Sequence, residues 1–152
     1  MKRHKSIVPI SRQHHSGLLT ARLLQHGAPP YKGMPTTPED KRNYALNFLR
    51  EHLLPHFKLE ENTVFVLAPQ ISEELAKQTK LLQEQHQQLE NLIVALPDAT
   101  RVDLPDKLHK IGKLLEQHIR HEERVYFEEL QKKLSEEELN ELQLLVMKHL
   151  GE

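Results

Sequence analysis

The stretch Ser72-Glu73-Glu74-Leu75-Ala76-Lys77-Gln78-Thr79-Lys80-Leu81-Leu82-Gln83-Glu84-Gln85-His86-Gln87-Gln88-Leu89-Glu90-Asn91-Leu92-Ile93-Val94-Ala95-Leu96-Pro97 decides the fold. Leu75, Thr79, Leu82, His86, Leu89, Ile93 and Leu96 recur at alternating spacings of three and four, the period of one face of an α-helix. Ser72 before two glutamates marks a helix start, and Pro97 cannot continue a helix. His86 stands in the middle of this stripe, where a leucine is expected.

The same period extends outward in both directions. A first helix runs from about Pro9 to Gln25, with Gly27 as its stop and Pro29 and Pro30 beyond. After a Pro/Gly loop over Ala28 to Thr36, Thr37 caps a second helix that has Pro38 at its first position and ends before Pro69. Pro55 removes one backbone donor from it and predicts a kink. Beyond the third helix, Asp103-Leu104-Pro105 opens a fourth that reaches about Lys133. Ser135 and Glu138 form a capping box for a short fifth helix, closed by Gly151. The pattern is all-α. Four long helices on short-to-medium connections predict an antiparallel up-down-up-down bundle. One domain over 1–152 is expected, with its core at about 6–133 and a C-terminal helix at 135–150. Leu139, Leu142, Leu145 and Val146 share a side of that last helix, which is expected to cap the bundle rather than to form a homodimer contact.

Composition narrows the function. With 152 residues and 38% apolar side chains, the core must be a narrow stripe on each helix. Lys+Arg 21 against Asp+Glu 22 gives a net charge of -1, without the footprint of a nucleic-acid binder or a polybasic membrane protein. No apolar run is long enough to span a membrane. The basic start Met1-Lys2-Arg3-His4-Lys5 is followed by no apolar stretch, so a cytoplasmic protein without a secretory leader is expected. The absence of cysteine excludes disulfides, thiolate zinc sites, iron–sulfur clusters and cysteine nucleophiles. Eleven histidines are the compositional excess.

Histidine falls on every stripe. The fourth helix gives Leu108, Ile111, Leu115, His118, Glu122 and Val125; the second gives Ala45, Phe48, His52, His56, Leu59 and Glu60. The first gives Ile10, His14, Gly17, Ala21 and Leu24, and the phase favours His14 over the alternative His15. His56 and Glu60, like His118 and Glu122, form His-x-x-x-Glu, which places both side chains on one face about 6 Å apart. One such pair is a weak signal, because exposed helix faces carry them by chance. Two in phase with apolar stripes, plus an in-phase histidine on each remaining helix, are a strong one. Two inward carboxylates need compensating charge, which a shared pair of cations would supply. Glu61 and Glu90 lie off the inner phase and read as solvated or supporting groups. His4, His26, His109, His121 and His149 read as surface residues. His52, Tyr126 and Glu61 are candidates to hold the inner rings from behind.

On these residues the chain resembles the hemerythrin-like family of HHE cation-binding domains. The matching stretches are Ser11-Arg12-Gln13-His14-His15, His56-Phe57-Lys58-Leu59-Glu60-Glu61, Glu84-Gln85-His86-Gln87-Gln88-Leu89 and His118-Ile119-Arg120-His121-Glu122-Glu123-Arg124-Val125-Tyr126-Phe127. The resemblance implies a non-haem di-iron centre in a four-helix bundle, with His14, His56, Glu60, His86, His118 and Glu122 as metal ligands and the carboxylates bridging. Family members bind dioxygen, respond to nitric oxide or oxygen, sense iron, or repair damaged iron centres. Oxygen carriers of the family have a further histidine where this chain has Leu82, and His-x-x-x-x-Asp where it has His118 and Glu122. Glu128 also stands where a proline often follows the aromatic pair. These departures point from oxygen carriage toward sensing and stress-response members.

Four imidazoles and two carboxylates suit two five- or six-coordinate irons better than one tetrahedral zinc, although zinc or nickel could enter by mis-metallation. The expectation is a binding or sensing protein for a diatomic ligand, dioxygen or nitric oxide, with output through a separate protein partner. The alternatives are a di-iron oxidoreductase or iron-centre repair protein, and a metal-free structural bundle.

Overall fold

The computed structural model describes every residue from Met1 to Glu152 and is helical throughout, with no strand. The α-helices are α1 (Val8–Leu23), α2 (Pro38–Phe48), α3 (Leu54–Asn62), α4 (Val64–Leu67), α5 (Glu73–Val94), α6 (Leu104–His121), α7 (Phe127–Lys133) and α8 (Glu136–Leu150). Two wide π-helical segments, Leu49–Leu53 and Glu122–Tyr126, join α2 to α3 and α6 to α7, so that the chain forms four rods: α1, α2 to α4, α5, and α6 with α7. No helix is long and apolar enough to cross a membrane.

The helix ends follow local chemistry. Thr37 accepts from the Asp40 N–H, Ser72 accepts from the Leu75 N–H, and Ser135 and Glu138 close the expected capping box. Gly151 adopts φ 79°, which ends α8 at no steric penalty. The start of α6 differs from expectation. Asp103 makes no side-chain cap there, and its own N–H donates instead to Thr100 Oγ1 at 3.1 Å.

The second and fourth rods depart from a continuous α-helix, and both departures move side chains. Pro55 has no N–H to give, so a register shift just before it forfeits no donor, and the chain widens over Leu49–Leu53 rather than simply kinking. The extra residue turns His52 outward and puts Leu53 into the core place that the stripe assigned to His52. The second wide segment does the same beyond Glu122. Val125, expected on the inner stripe, is 42% exposed, and Tyr126 and Phe127 are buried in its stead. The second rod also breaks at Thr63, whose φ and ψ of -128° and -91° separate α3 from α4. On α8, Leu139, Leu142 and Val146 are buried, while Leu145 is only half-buried.

The core comes in two apolar clusters. One gathers Ile7 and Ile10, Leu59, Val64, Phe65, Leu67 and Ala68, Leu75 and Leu82, Tyr126, Phe127, Leu130 and Leu134, and the buried face of α8. The other gathers Ala21 and Leu24, Ala45, Phe48, Leu49, Leu53 and Phe57, Leu89, Ile93 and Leu96, and the buried leucines and isoleucines of α6. The buried His and Glu side chains lie at the level between them. α1 packs closely on α6, where a Cβ at Gly112 would stand 2.5 Å from the Ala21 carbonyl oxygen.

Candidate metal centre

The residue immediately outside each stripe determines how the stripe's own polar group is held. His14, His56, His86 and His118 turn Nε2 inward, and each directs Nδ1 to a residue of a neighbouring rod. His56 donates to Gln13 Oε1 at 2.8 Å, His86 to Glu61 Oε2 at 2.8 Å, His118 to Gln85 Oε1 at 2.7 Å, and His14 to Glu123 Oε2 at 2.7 Å. The four bonds close a ring in which the second rod donates to the first, the third to the second, the fourth to the third and the first to the fourth. A ring that donates from Nδ1 leaves Nε2 as its inward nitrogen, the arrangement that fixes a metal-binding tautomer.

Inside this ring stand two carboxylates. Glu60 and Glu122 are fully buried. Glu60 Oε1 lies 3.1 Å from His86 Nε2 and 3.4 Å from His56 Nε2; Glu122 Oε1 lies 3.0 Å from His14 Nε2 and 3.4 Å from His118 Nε2. The donor atoms form two groups of four: His14, His56, Glu60 and Glu122, and Glu60, His86, His118 and Glu122. All donors in a group lie within 4.8 Å of one another. Both carboxylates belong to both groups.

The pairing is incomplete in a telling way. The Nε2 atoms of His14, His56 and His118, Glu60 Oε2 and both oxygens of Glu122 are buried without a hydrogen-bond partner; elsewhere the only such side-chain atom is Thr20 Oγ1. Native interiors rarely leave even one such group unpaired, and six together fit a position that takes a cation. Two shared carboxylates and four imidazole nitrogens, with no thiolate, are donors for first-row metals of intermediate hardness.

Electrostatics agree. Burial opposes charge on His14, but Glu122 and Glu123 outweigh it and raise its pKa to about 10. Burial likewise opposes charge on His86, and Glu60 and Glu61 raise it to about 9. Burial pushes Glu122 upward, yet His118, Glu60 and His14 hold its carboxyl well below the usual range. Protons on His14 and His86 thus balance the two inner carboxylates when no cation does so.

The sequence-derived residues meet as follows. His14, His56, Glu60, His86, His118 and Glu122 converge in one cluster, and His15 is exposed on the outer face of α1. Of the three supporting candidates, Glu61 touches a cluster histidine. Tyr126 instead pairs with Thr79 Oγ1 at 2.7 Å, and His52 stacks on Phe48 with ring centroids 5.2 Å apart. Gln13, Gln85 and Glu123 were not singled out in the sequence. Their signal was adjacency: each is the immediate neighbour of an inward His or Glu, and serves the histidine of the next rod. Glu123 is itself held by Ser11, whose hydroxyl donates at 2.9 Å, and by Arg3.

Beside the cluster lies a cavity of about 220 Å³, reaching the rings of His14, His56 and His118. His86 is walled off from it, with Phe57 stacked on its ring at 3.7 Å.

Fold and site together define a helical protein with a buried cluster able to hold cations. The sequence profile of the Hemerythrin HHE cation binding domain matches residues 4–130, and the chain belongs to that family. Comparison with curated proteins and with solved structures gives no match.

Proposed function

We propose that this chain binds two iron ions through His14, His56, Glu60, His86, His118 and Glu122, with Glu60 and Glu122 shared by both metals, and that it binds or responds to dioxygen, nitric oxide or iron and redox status. The observation that carries the reading is the pair of four-donor groups with two carboxylates in common, surrounded by orphaned buried atoms. Each metal would receive two imidazoles and two shared carboxylates. That leaves coordination positions for an exogenous ligand, as five- or six-coordinate iron requires. Bound iron would supply a redox-active centre at which small ligands coordinate. The chain's own contribution is to fix the ring tautomers through Gln13, Glu61, Gln85 and Glu123 and to keep the inner atoms out of water. Leu82, fully buried one turn before His86, adds no donor.

The proposal includes a single cytoplasmic domain over 1–152 built as an up-down-up-down bundle with α8 as its cap. Its support is which end of each rod enters which cluster: the start of α1, the end of α3, the start of α5 and all of α7 share one, and the end of α1, α2 with the start of α3, the end of α5 and α6 share the other. A binding and sensing role is favoured over turnover, with output through a protein partner or a homodimer. An oxidoreductase is the second reading, and it draws on the cavity, which at about 220 Å³ exceeds the space of a diatomic several-fold. The six orphaned atoms weigh against an inert structural bundle.

Iron-loaded protein tests the proposal. A near-ultraviolet absorption band of a ferric pair, shifted by azide or nitric oxide, is the expected result; iron-loaded protein with no such band, or one insensitive to both ligands, contradicts it.

A further inference from the structure

We infer that the exposed pair Glu51 and His52 is a capture station through which a divalent cation enters the buried cluster. The inference rests on the two-cation reading and adds the route. The inner donors cannot be reached directly, because the Nε2 atoms of His14, His56 and His118 have essentially no accessible surface. The cavity of about 220 Å³ leads toward them between α1, the wide segment Leu49–Leu53 and α6. Glu51, His52 and Ser16 line its exposed mouth, and His14, His56 and His118 line its inner end.

Its walls carry no lysine or arginine, and the proton on His14 at its inner end is the one that an entering cation displaces. A second hollow, between α3 and α5, also touches the cluster, at His86. That one is lined by Lys58 as well as Glu61 and Glu90. There the Phe57 ring lies over His86 at 3.7 Å, and Glu61 already occupies Nδ1. Access favours the first route.

The donors along it are graded in depth, and those at the mouth are weakly held. His52 makes no hydrogen bond and only leans on Phe48. Glu51 is paired with its neighbour Arg50 at 3.3 Å, both well exposed, and such pairs contribute little. Next inward is His56, at 6% exposure the least buried of the four cluster histidines. A hydrated cation loses solvation steeply on entering a protein interior, and a series of fixed donors replaces water a few ligands at a time. The extra residue of the wide segment creates this series. In an unbroken α-helix His52, four before His56, would share the inner face; the π register moves it to the mouth.

Stopped-flow mixing of the metal-free protein with Co²⁺, followed by its visible absorption, tests the station. The Glu51→Gln/His52→Ala variant should load about tenfold more slowly, the scale on which focused charge alters association. Its final spectrum and cobalt content should equal those of the unaltered protein. His52→Glu, which restores a donor, should recover the rate, and Glu90→Gln, at the other hollow, should leave it unchanged. Loading of the double variant at the unaltered rate overturns the inference, as does slowing by Glu90→Gln or failure of His52→Glu to recover the rate. If the unaltered protein takes up no Co²⁺, the two-cation reading has failed and the route falls with it. Uptake with unchanged variant rates overturns the route alone.

Discussion

A histidine inside a helix bundle binds a metal only if its ring is held, and here four outer residues do the holding. Gln85 is the clearest case, because a neutral amide supports His118 without adding charge. Replacing it with leucine keeps the bulk and removes the acceptor, so affinity for the metal is expected to fall about 10- to 100-fold while the fold persists. Isothermal titration of the metal-free Gln85→Leu protein checks this, and unchanged affinity would show that the ring needs no support. The protonated rings give a second expectation. His14 and His86 have folded pKa values raised to about 10 and about 9, above the 6.5 of the unfolded chain. Groups raised on folding contribute stability that is fully present below the unfolded value and is lost as pH rises through the folded one. The melting temperature of metal-free protein should therefore drop between about pH 7 and pH 10. A bound cation replaces the inner protons, so binding near pH 7 should release roughly two of them, measurable with a pH indicator.

At the scale of the element, much of the sequence was legible because its signals are local. Thr37, Ser72, Ser135 and Gly151 each mark a helix end through a bond to a neighbour a few residues away, and the α1 and α5 stripes run unbroken through the buried residues. Pro55 signalled a disturbance but not its form, since a kink and a π segment both answer a missing N–H. The second π segment has no proline to announce it. Packing sets it, by burying Tyr126 and Phe127 together and placing the Tyr126 hydroxyl on Thr79. That is why Val125 and His52 read as inward. The cluster residues themselves were legible because neither register shift falls inside a His-x-x-x-Glu pair: His56 and Glu60 both follow the first, and His118 and Glu122 stand ahead of the residues that the second displaces. The closed ring of supporting bonds was not, although Gln-His followed by His-x-x-x-Glu-Glu occurs twice, at Gln13-His14 with His56 to Glu61 and at Gln85-His86 with His118 to Glu123. The contact of α1 with α6 yields a stability test. At Gly112→Ala the new methyl meets the Ala21 carbonyl oxygen, a backbone atom that cannot swing away. The gain in helix propensity of about 1 kcal/mol is outweighed, for a net loss of about 1–2 kcal/mol in urea unfolding. Gly17→Ala meets only the Ile119 Cδ1 methyl, which can rotate, and should change stability by less.

For the molecule as a whole, the buried polar layer divides what would otherwise be one continuous core. Two carboxylates between two apolar clusters destabilise a small protein unless something compensates them, and either protons or cations can do so. Protons on His14 and His86 offset the two inner carboxylates, His14 Nε2 lying 3.0 Å from Glu122 Oε1, but the Nε2 atoms of His56 and His118 stay buried without a hydrogen-bond partner. Two cations, as proposed, would give every one of these inner atoms a partner. The two donor groups match in composition, so the molecule offers two like positions joined by the same pair of carboxylates. Loss of either carboxylate removes a ligand from both positions at once, which separates this arrangement from one of two independent sites. The decisive measurement is the iron content of the unaltered protein and of Glu60→Ala and Glu122→Ala after anaerobic loading with ferrous iron and desalting. Two irons per chain in the unaltered protein, with both lost or severely weakened in each variant, is the predicted result. Equal iron in all three proteins would contradict the account.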